Sequence, residues 1–295
     1  MEKGAFPVKN GEKGHGPAQP VRMIALDLDG TVLDSEKRIT PRTRAALEKA
    51  IEAGVAVLPA TGRLRNGLPQ EFLDIPGVRY AVTANGAAVL DLAEGRRIWS
   101  GCLSQQDALR LYGMCRGWDV LFDVYAGDAI FTEAARFARL AEFAPPAMLD
   151  YFRKTRTPVD DLAAFLPTLE TPIEKVTALF TNPDERRAAF AVLADGGRYL
   201  VTSSIPRNVE VNAAGVDKGV GLLALADFLG VPHGAVMACG DSSNDAAMLR
   251  AAGFSVAMGN ASDEIKSLAD FVTDTNDADG VAKAVERWVL GAPQV

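Results

Sequence analysis

Cysteine and histidine are scarce in this chain: Cys102, Cys115 and Cys239 are the only cysteines and His15 and His233 the only histidines among 295 residues. The cysteines stand far apart, form no CxxC pair and are odd in number, which argues against a disulfide framework and a structural zinc site. They read as buried thiols in a reducing compartment, the cytoplasm. His15 lies in a Gly- and Lys-rich stretch and His233 in a Pro-Gly turn, so neither is given chemistry. Long apolar runs are missing too. No stretch reaches the roughly eighteen residues that a membrane span needs. Residues 1–20 lack the apolar core of a secretion signal and read as a flexible tail. Excess positive charge is also absent: 31 Lys and Arg face 38 Asp and Glu, for a net charge of −7. That balance counts against nucleic acid as a partner, because phosphate backbones are held by clustered cations. Oligomeric state is not legible.

What is present is apolar residue enough, at 48%, for one large core or two smaller ones. The stretch that organises the rest is Met23-Ile24-Ala25-Leu26-Asp27-Leu28-Asp29-Gly30-Thr31. It opens as a continuous apolar run, which suits a strand covered on both faces, and it ends in two carboxylates. Residues two apart on a strand point the same way, so Asp27 and Asp29 are expected to share the crevice at the strand's carboxyl end, where open α/β sheets place ligands. Two carboxylates so close call for a cation between them, and hard oxygen ligands suit Mg²⁺.

Along the chain, Thr40 reads as an N-cap with Pro41 at the first helical position. The helix so begun runs to Gly54, and Val55 to Pro59 then makes a second strand that ends in Ala60-Thr61-Gly62-Arg63. Tyr80 to Thr83 makes a third, ending in Asn85-Gly86. Strands alternating with helices predict a largely parallel sheet. From Ala87 the texture changes to short β-like runs punctuated by prolines, with further runs at Val176 to Thr181 and Tyr199 to Thr202. This reads as an inserted α+β unit, because the first pattern resumes near Val209. Lys218 then opens an apolar helix, and a buried strand from Ala235 to Cys239 runs into Gly240-Asp241-Ser242-Ser243-Asn244-Asp245.

If the core is one parallel sheet, its strand ends gather the Asp27/Asp29 pair, Thr61, Lys218 and the Asp241/Asp245 pair in one crevice. Phosphoryl transfer needs such a set. A carboxylate can attack phosphorus, a second carboxyl can move the proton, and donors and cations meet the spread negative charge. Taken singly, each piece has a plainer reading: Asp-Gly as a turn, Lys218 as a solvated first-turn residue, Asp241 to Asp245 as a helix cap. Four such pieces in order, each at the end of a core segment, favour the chemical reading.

These stretches resemble the haloacid dehalogenase-like superfamily, and within it the Cof-type sugar-phosphate phosphatases. The likeness rests on Asp27-Leu-Asp-Gly-Thr31, Ala60-Thr-Gly-Arg63, Thr83-Ala-Asn-Gly-Ala87, Asp217-Lys-Gly219, Gly240-Asp-Ser-Ser-Asn-Asp245 and Met258-Gly-Asn-Ala261. The resemblance implies a Rossmann-like core at 21–86 and 206–295, with a mobile cap at 87–205 that sets substrate specificity. It implies Asp27 as nucleophile, Asp29 as general acid/base, and Thr61 and Lys218 as phosphoryl binders. Magnesium would be held by Asp27, Asp29 (through its backbone carbonyl), Asp241 and Asp245. Arg63, Asn85 and Asn244 fall at positions near phosphate or substrate. The expected activity is hydrolysis of a small phosphorylated metabolite, a sugar phosphate or similar phosphomonoester, through an aspartyl-phosphate. Two rivals stay open: a phosphomutase that returns the group to sugar, and a binding protein of the same fold without turnover. Following free phosphate against positional isomer separates the first; a panel of phosphomonoesters separates the second.

Overall fold

The computed structural model describes residues 16–205 and 207–291. The expected tail lies outside them except for 16–20, which form neither helix nor strand. In chain order the strands are β1 Met23–Leu26, β2 Ala56–Pro59, β3 Tyr80–Thr83, β4 Ala88–Asp91, β5 Arg96–Ser100, β6 Val120–Ala126, β7 Ala129–Glu133, β8 Arg156–Val159, β9 Ile173–Phe180, β10 Tyr199–Thr202, β11 Asn208–Ala213, β12 Val236–Gly240, β13 Phe254–Ala257 and β14 Phe271–Val272. The chain divides into two units. One comprises the residues up to Thr61, Leu68–Trp99 and the residues from Asp217; the other comprises Gly62–Gly67 and Ser100–Val216.

The first unit is built on the parallel sheet β14-β13-β12-β1-β2. β1 sits between β12 and β2, with Met23 opposite both Val236 and Ala56. Every residue of β1 is buried, and the two-residue alternation explains why. Ile24 and Leu26 face Ala46, Leu47, Ala50, Val281 and Val285, from the helices Pro41–Glu52 and Gly280–Trp288. Met23 and Ala25 share the opposite core with Leu222, Leu225, Ala226, Met248 and Leu249. A strand covered on both sides has no polar face to show, hence the unbroken apolar run. The helix Pro41–Glu52 starts as its sequence requires, with the Thr40 side chain accepting from the Thr43 N–H and Pro41 inside the first turn.

An isolated parallel bridge from Ala60 to Val82 brings β3 beside β2. β3 then pairs antiparallel with β4, and β5 follows. Val89 of β4, Ile98 and Trp99 pack into the core that holds Met23 and Ala25. The boundary expected at Ala87 therefore falls at Ser100, because the hairpin after β3 finds its apolar partners in the first unit.

The second unit carries a six-stranded sheet, β10-β11-β9-β6-β7-β8. It is antiparallel apart from the β7–β8 pair. Helices Gln105–Cys115 and Pro183–Ala194 cover one face, burying Leu111, Cys115 and Leu193 against Phe122, Val124, Val176 and Val209. On the other face two ion pairs are buried, Arg156 with Asp123 at 2.9 Å and Lys175 with Glu210 at 3.2 Å. β11 pairs with β9 and β10, so Val209 belongs to this sheet and the return to the first unit comes at Asp217 instead of 206. Alternation alone did not distinguish the last strand of one sheet from the first of another.

Candidate active site

The carboxyl ends of β1, β2 and β12 lie side by side. The Ala60 N–H donates to the Leu26 carbonyl at 2.7 Å, and the Asp27 N–H to the Cys239 carbonyl at 3.0 Å. Each strand therefore delivers its next residues, Asp27, Thr61 and Asp241, to the same edge of the sheet. The helix Lys218–Leu229 brings the cation. Its N-cap, Asp217, accepts from the Val220 N–H at 2.8 Å, which fixes the first turn where Lys218 stands.

Lys218 is fully buried. Its Nζ donates to Asp27 Oδ1 at 2.6 Å and to Asp245 Oδ1 at 2.6 Å. The other oxygen of Asp245 accepts from the backbone N–H groups of Asp241 and Ser242, both at 2.9 Å, closing a capping box with Ser242. Asp241 Oδ1 accepts from the Thr31 hydroxyl at 2.9 Å. Gly30 makes that approach possible: its φ is +86°, and a Cβ there would stand 2.6 Å from Asp241 Oδ2. Asp27, Asp241 and Asp245 each offer an oxygen within 4.8 Å of the others.

Three carboxylates with one ammonium leave the cluster short of positive charge. Burial holds the Asp27 carboxyl well above the usual range, opposed by Lys218 and reinforced by Asp245 and Asp241. Asp241 is pushed up to about 7, first by burial and then by Asp245, against the hydrogen bond from Thr31. Burial works against the Lys218 charge as well, yet Asp245 and Asp27 keep the ammonium above its ordinary value. An all-oxygen donor set with a charge deficit fits a hard divalent cation, which would supply the missing charge.

Of the other expected residues, Thr61 is buried; its N–H donates to the Val82 carbonyl and its own carbonyl accepts from the Asn85 N–H. Asn244 Nδ2 donates to Asn85 Oδ1 at 3.1 Å. The Asp29 side chain is not among the three clustered carboxylates. β1 ends at Leu26, so strand alternation no longer aims Asp29, and its Oδ1 accepts from Lys37 Nζ at 2.8 Å. Arg63 falls in the segment counted with the second unit, where its guanidinium lies 4.9 Å from the Tyr151 ring centroid and its Nη1 donates to the Gly67 carbonyl. Two contributors were not anticipated. Thr31 was in the opening motif but had been given no task, and Lys37 carried no motif at all.

A family model described as haloacid dehalogenase-like hydrolase matches residues 24–285. The 5-amino-6-(5-phospho-D-ribitylamino)uracil phosphatase YcsE of Bacillus subtilis is 32% identical over 276 residues, spanning 92% of this chain and 96% of its own. The phosphatase YwpJ of Bacillus subtilis is 31% identical over 285 residues, spanning 89% of this chain and 98% of its own. The solved structure of a haloacid dehalogenase-like hydrolase from B. subtilis superposes with a TM-score of 0.80 at 27% identity, covering 90% of this chain and 99% of that one. Sheet order, clustered strand ends and these likenesses agree: the chain belongs to the haloacid dehalogenase-like hydrolases and is a phosphatase of the Cof type.

Proposed function

We propose that this chain hydrolyses a small phosphorylated metabolite, a sugar phosphate or similar phosphomonoester, with Mg²⁺ as cofactor and a phosphoryl group carried transiently on Asp27. The observation that carries the reading is the buried Lys218 bonded to both Asp27 and Asp245 beside Asp241. In the first step an Asp27 oxygen attacks phosphorus, the bond from phosphorus to the leaving oxygen breaks, and Asp29 gives that oxygen a proton. In the second, Asp29 takes a proton from water, the water oxygen attacks phosphorus, and inorganic phosphate leaves with Asp27 restored. For Asp29 to act it must exchange Lys37 for the leaving oxygen. Thr61 donates a hydrogen bond to the phosphoryl oxygens and Lys218 holds the nucleophile and meets developing charge. Asp27, Asp241, Asp245 and the Asp29 carbonyl would hold the metal, which when bound offsets negative charge on the transferring group. Arg63 stays assigned to substrate, and Asn244, bonded to Asn85 and Ser242, to completing the acidic loop.

The second unit, 100–216, is assigned the choice of leaving group, and the protein is placed in the cytoplasm. Among the described residues no helix is long and apolar enough to cross a membrane. Because one relative is named for a phosphorylated ribitylaminouracil, that compound belongs in the test panel beside hexose, pentose and polyol phosphates. The experiment is phosphate release across this panel with and without Mg²⁺, together with trapping of labelled phosphate on the protein. Label on Asp27, lost in Asp27→Asn, is the expected result. Label on another residue, or no Mg²⁺-dependent release from any compound, would overturn the reading.

A further inference from the structure

Residues 84–86, between β3 and β4, hold a backbone conformation that two of their side chains disfavour. Ala84 has φ +50°, Asn85 φ +57° and Gly86 φ +91°, three successive residues in the left-handed region that glycine adopts freely, asparagine tolerates and alanine resists. Such strain persists where surrounding contacts over-determine it, and here three contacts do so. The Asn85 N–H donates to the Thr61 carbonyl at 3.0 Å. Asn85 Oδ1 accepts from Asn244 Nδ2 at 3.1 Å, and Asn244 Oδ1 accepts from the Ser242 hydroxyl at 2.6 Å. Gly86 is pressed on the start of the lysine helix, where a Cβ would stand 1.9 Å from the Asp217 backbone carbonyl oxygen and 3.0 Å from the Lys218 backbone nitrogen. One turn thus touches the segments that carry Thr61, Lys218 and the acidic loop 241–245. Asn85, only 2% exposed, makes the turn's two hydrogen bonds among these contacts.

We propose that Asn85 is a positioning residue, a strut that ties the Thr61 segment to the acidic loop and so sets the distance between phosphoryl-binding hydroxyl and carboxylate cluster. This departs from the substrate contact that the family resemblance implies for Asn85. A side chain touching the leaving group sorts leaving groups, and one touching the phosphoryl group leaves Mg²⁺ affinity without substrate unchanged; a strut behind Thr61 and Asn244 lowers the rate for all leaving groups alike and loosens the carboxylates toward metal. The kinetic part of the proposal rests on the phosphatase reading above, and the metal-binding part does not.

Asn85→Gly keeps the left-handed backbone and removes the amide alone. In the full chain at saturating Mg²⁺, kcat should fall about tenfold, as when a supporting partner of a ligand is removed, by the same factor for hexose, polyol and aryl phosphates, with KM within about twofold. Asn244→Ala should give at least the same fall, and the double variant no more than Asn244→Ala alone, since both singles break the Asn85–Asn244 bond. Calorimetry without substrate should show Mg²⁺ affinity weakened by at least about threefold in Asn85→Gly. A wild-type chain that binds Mg²⁺ but releases no phosphate would sink the phosphatase reading and leave this arm standing. Unchanged Mg²⁺ affinity, a loss that differs between leaving groups, or additive effects in the double variant would each overturn the proposal. Should Asn85→Gly fail to fold, Asn244→Ala leaves the turn intact and is read by the same outcomes.

Discussion

At the scale of single residues, Lys218 is the side chain the site can least spare. Its ammonium is buried between Asp27 and Asp245, and removing one partner of a buried ion pair costs about 3–5 kcal/mol. Lys218→Met should therefore lower stability by about that amount in denaturant melts without Mg²⁺, and lower kcat by at least about a hundredfold. Near-normal turnover would remove the lysine from the mechanism. Asp241→Ala should shift the Mg²⁺ concentration for half-maximal rate upward by about tenfold or more, and an unmoved value would reject Asp241 as a ligand. That Asp27, Lys218, Asp241 and Asp245 come together was legible because each follows a strand or stands at the start of a helix, so their placement needed only the order of strands. Asp29 was not. Its direction is set by a turn beyond Leu26, and its partner Lys37 has φ +63°, a local conformation that no spacing rule announces.

At the scale of elements, the helix Gln105–Cys115 shows how a cap ties local structure to pH. The Ser104 side chain accepts from the Asp107 N–H, and the Ser104 hydroxyl donates back to Asp107 Oδ2 at 2.6 Å. That bond is the main reason the Asp107 carboxyl lies below its ordinary value, burial opposing it and the Tyr199 hydroxyl assisting. A depressed folded value means that the bond stabilises the folded chain above the unfolded carboxyl range, near pH 4, and that this contribution fades as pH falls through the folded value. The penalty of Ser104→Ala should accordingly be larger at pH 6 than at pH 2.5, the loss of the cap itself persisting at both; equal penalties at both would deny Asp107 its part. The helix start at Thr40-Pro41 was readable in advance because a cap is a local hydrogen bond, and that at Lys218 because an apolar run follows it, its cap Asp217 emerging only in the structure. The allegiance of β4, β5 and β11 was not, since it depends on which core takes their apolar face.

At the scale of the whole molecule, each unit keeps a thiol in its core. Cys239 lies in β12 and Cys115 in the helix Gln105–Cys115, and burial pushes both up to about 12. Neither should react with alkylating reagents at pH 8 until its own unit opens. Labelling read by mass spectrometry in a urea series then reports the two units separately. Mg²⁺ at about 100 times its dissociation constant should add about 2.7 kcal/mol to the unit that binds it, moving the Cys239 midpoint to higher urea. A stationary Cys239 midpoint would argue against metal in the carboxylate cluster. The pairing of β1 with β12 also bears on how the chain is made. Met23 meets Val236, so about two hundred residues must leave the ribosome before β1 gains its second neighbour. Apart from Gly62–Gly67, the unit Ser100–Val216 is contiguous and can fold on emergence. The segment bearing Asp27 therefore waits, one edge open, until synthesis has passed 218–240 and supplied both its lysine and its partner strand.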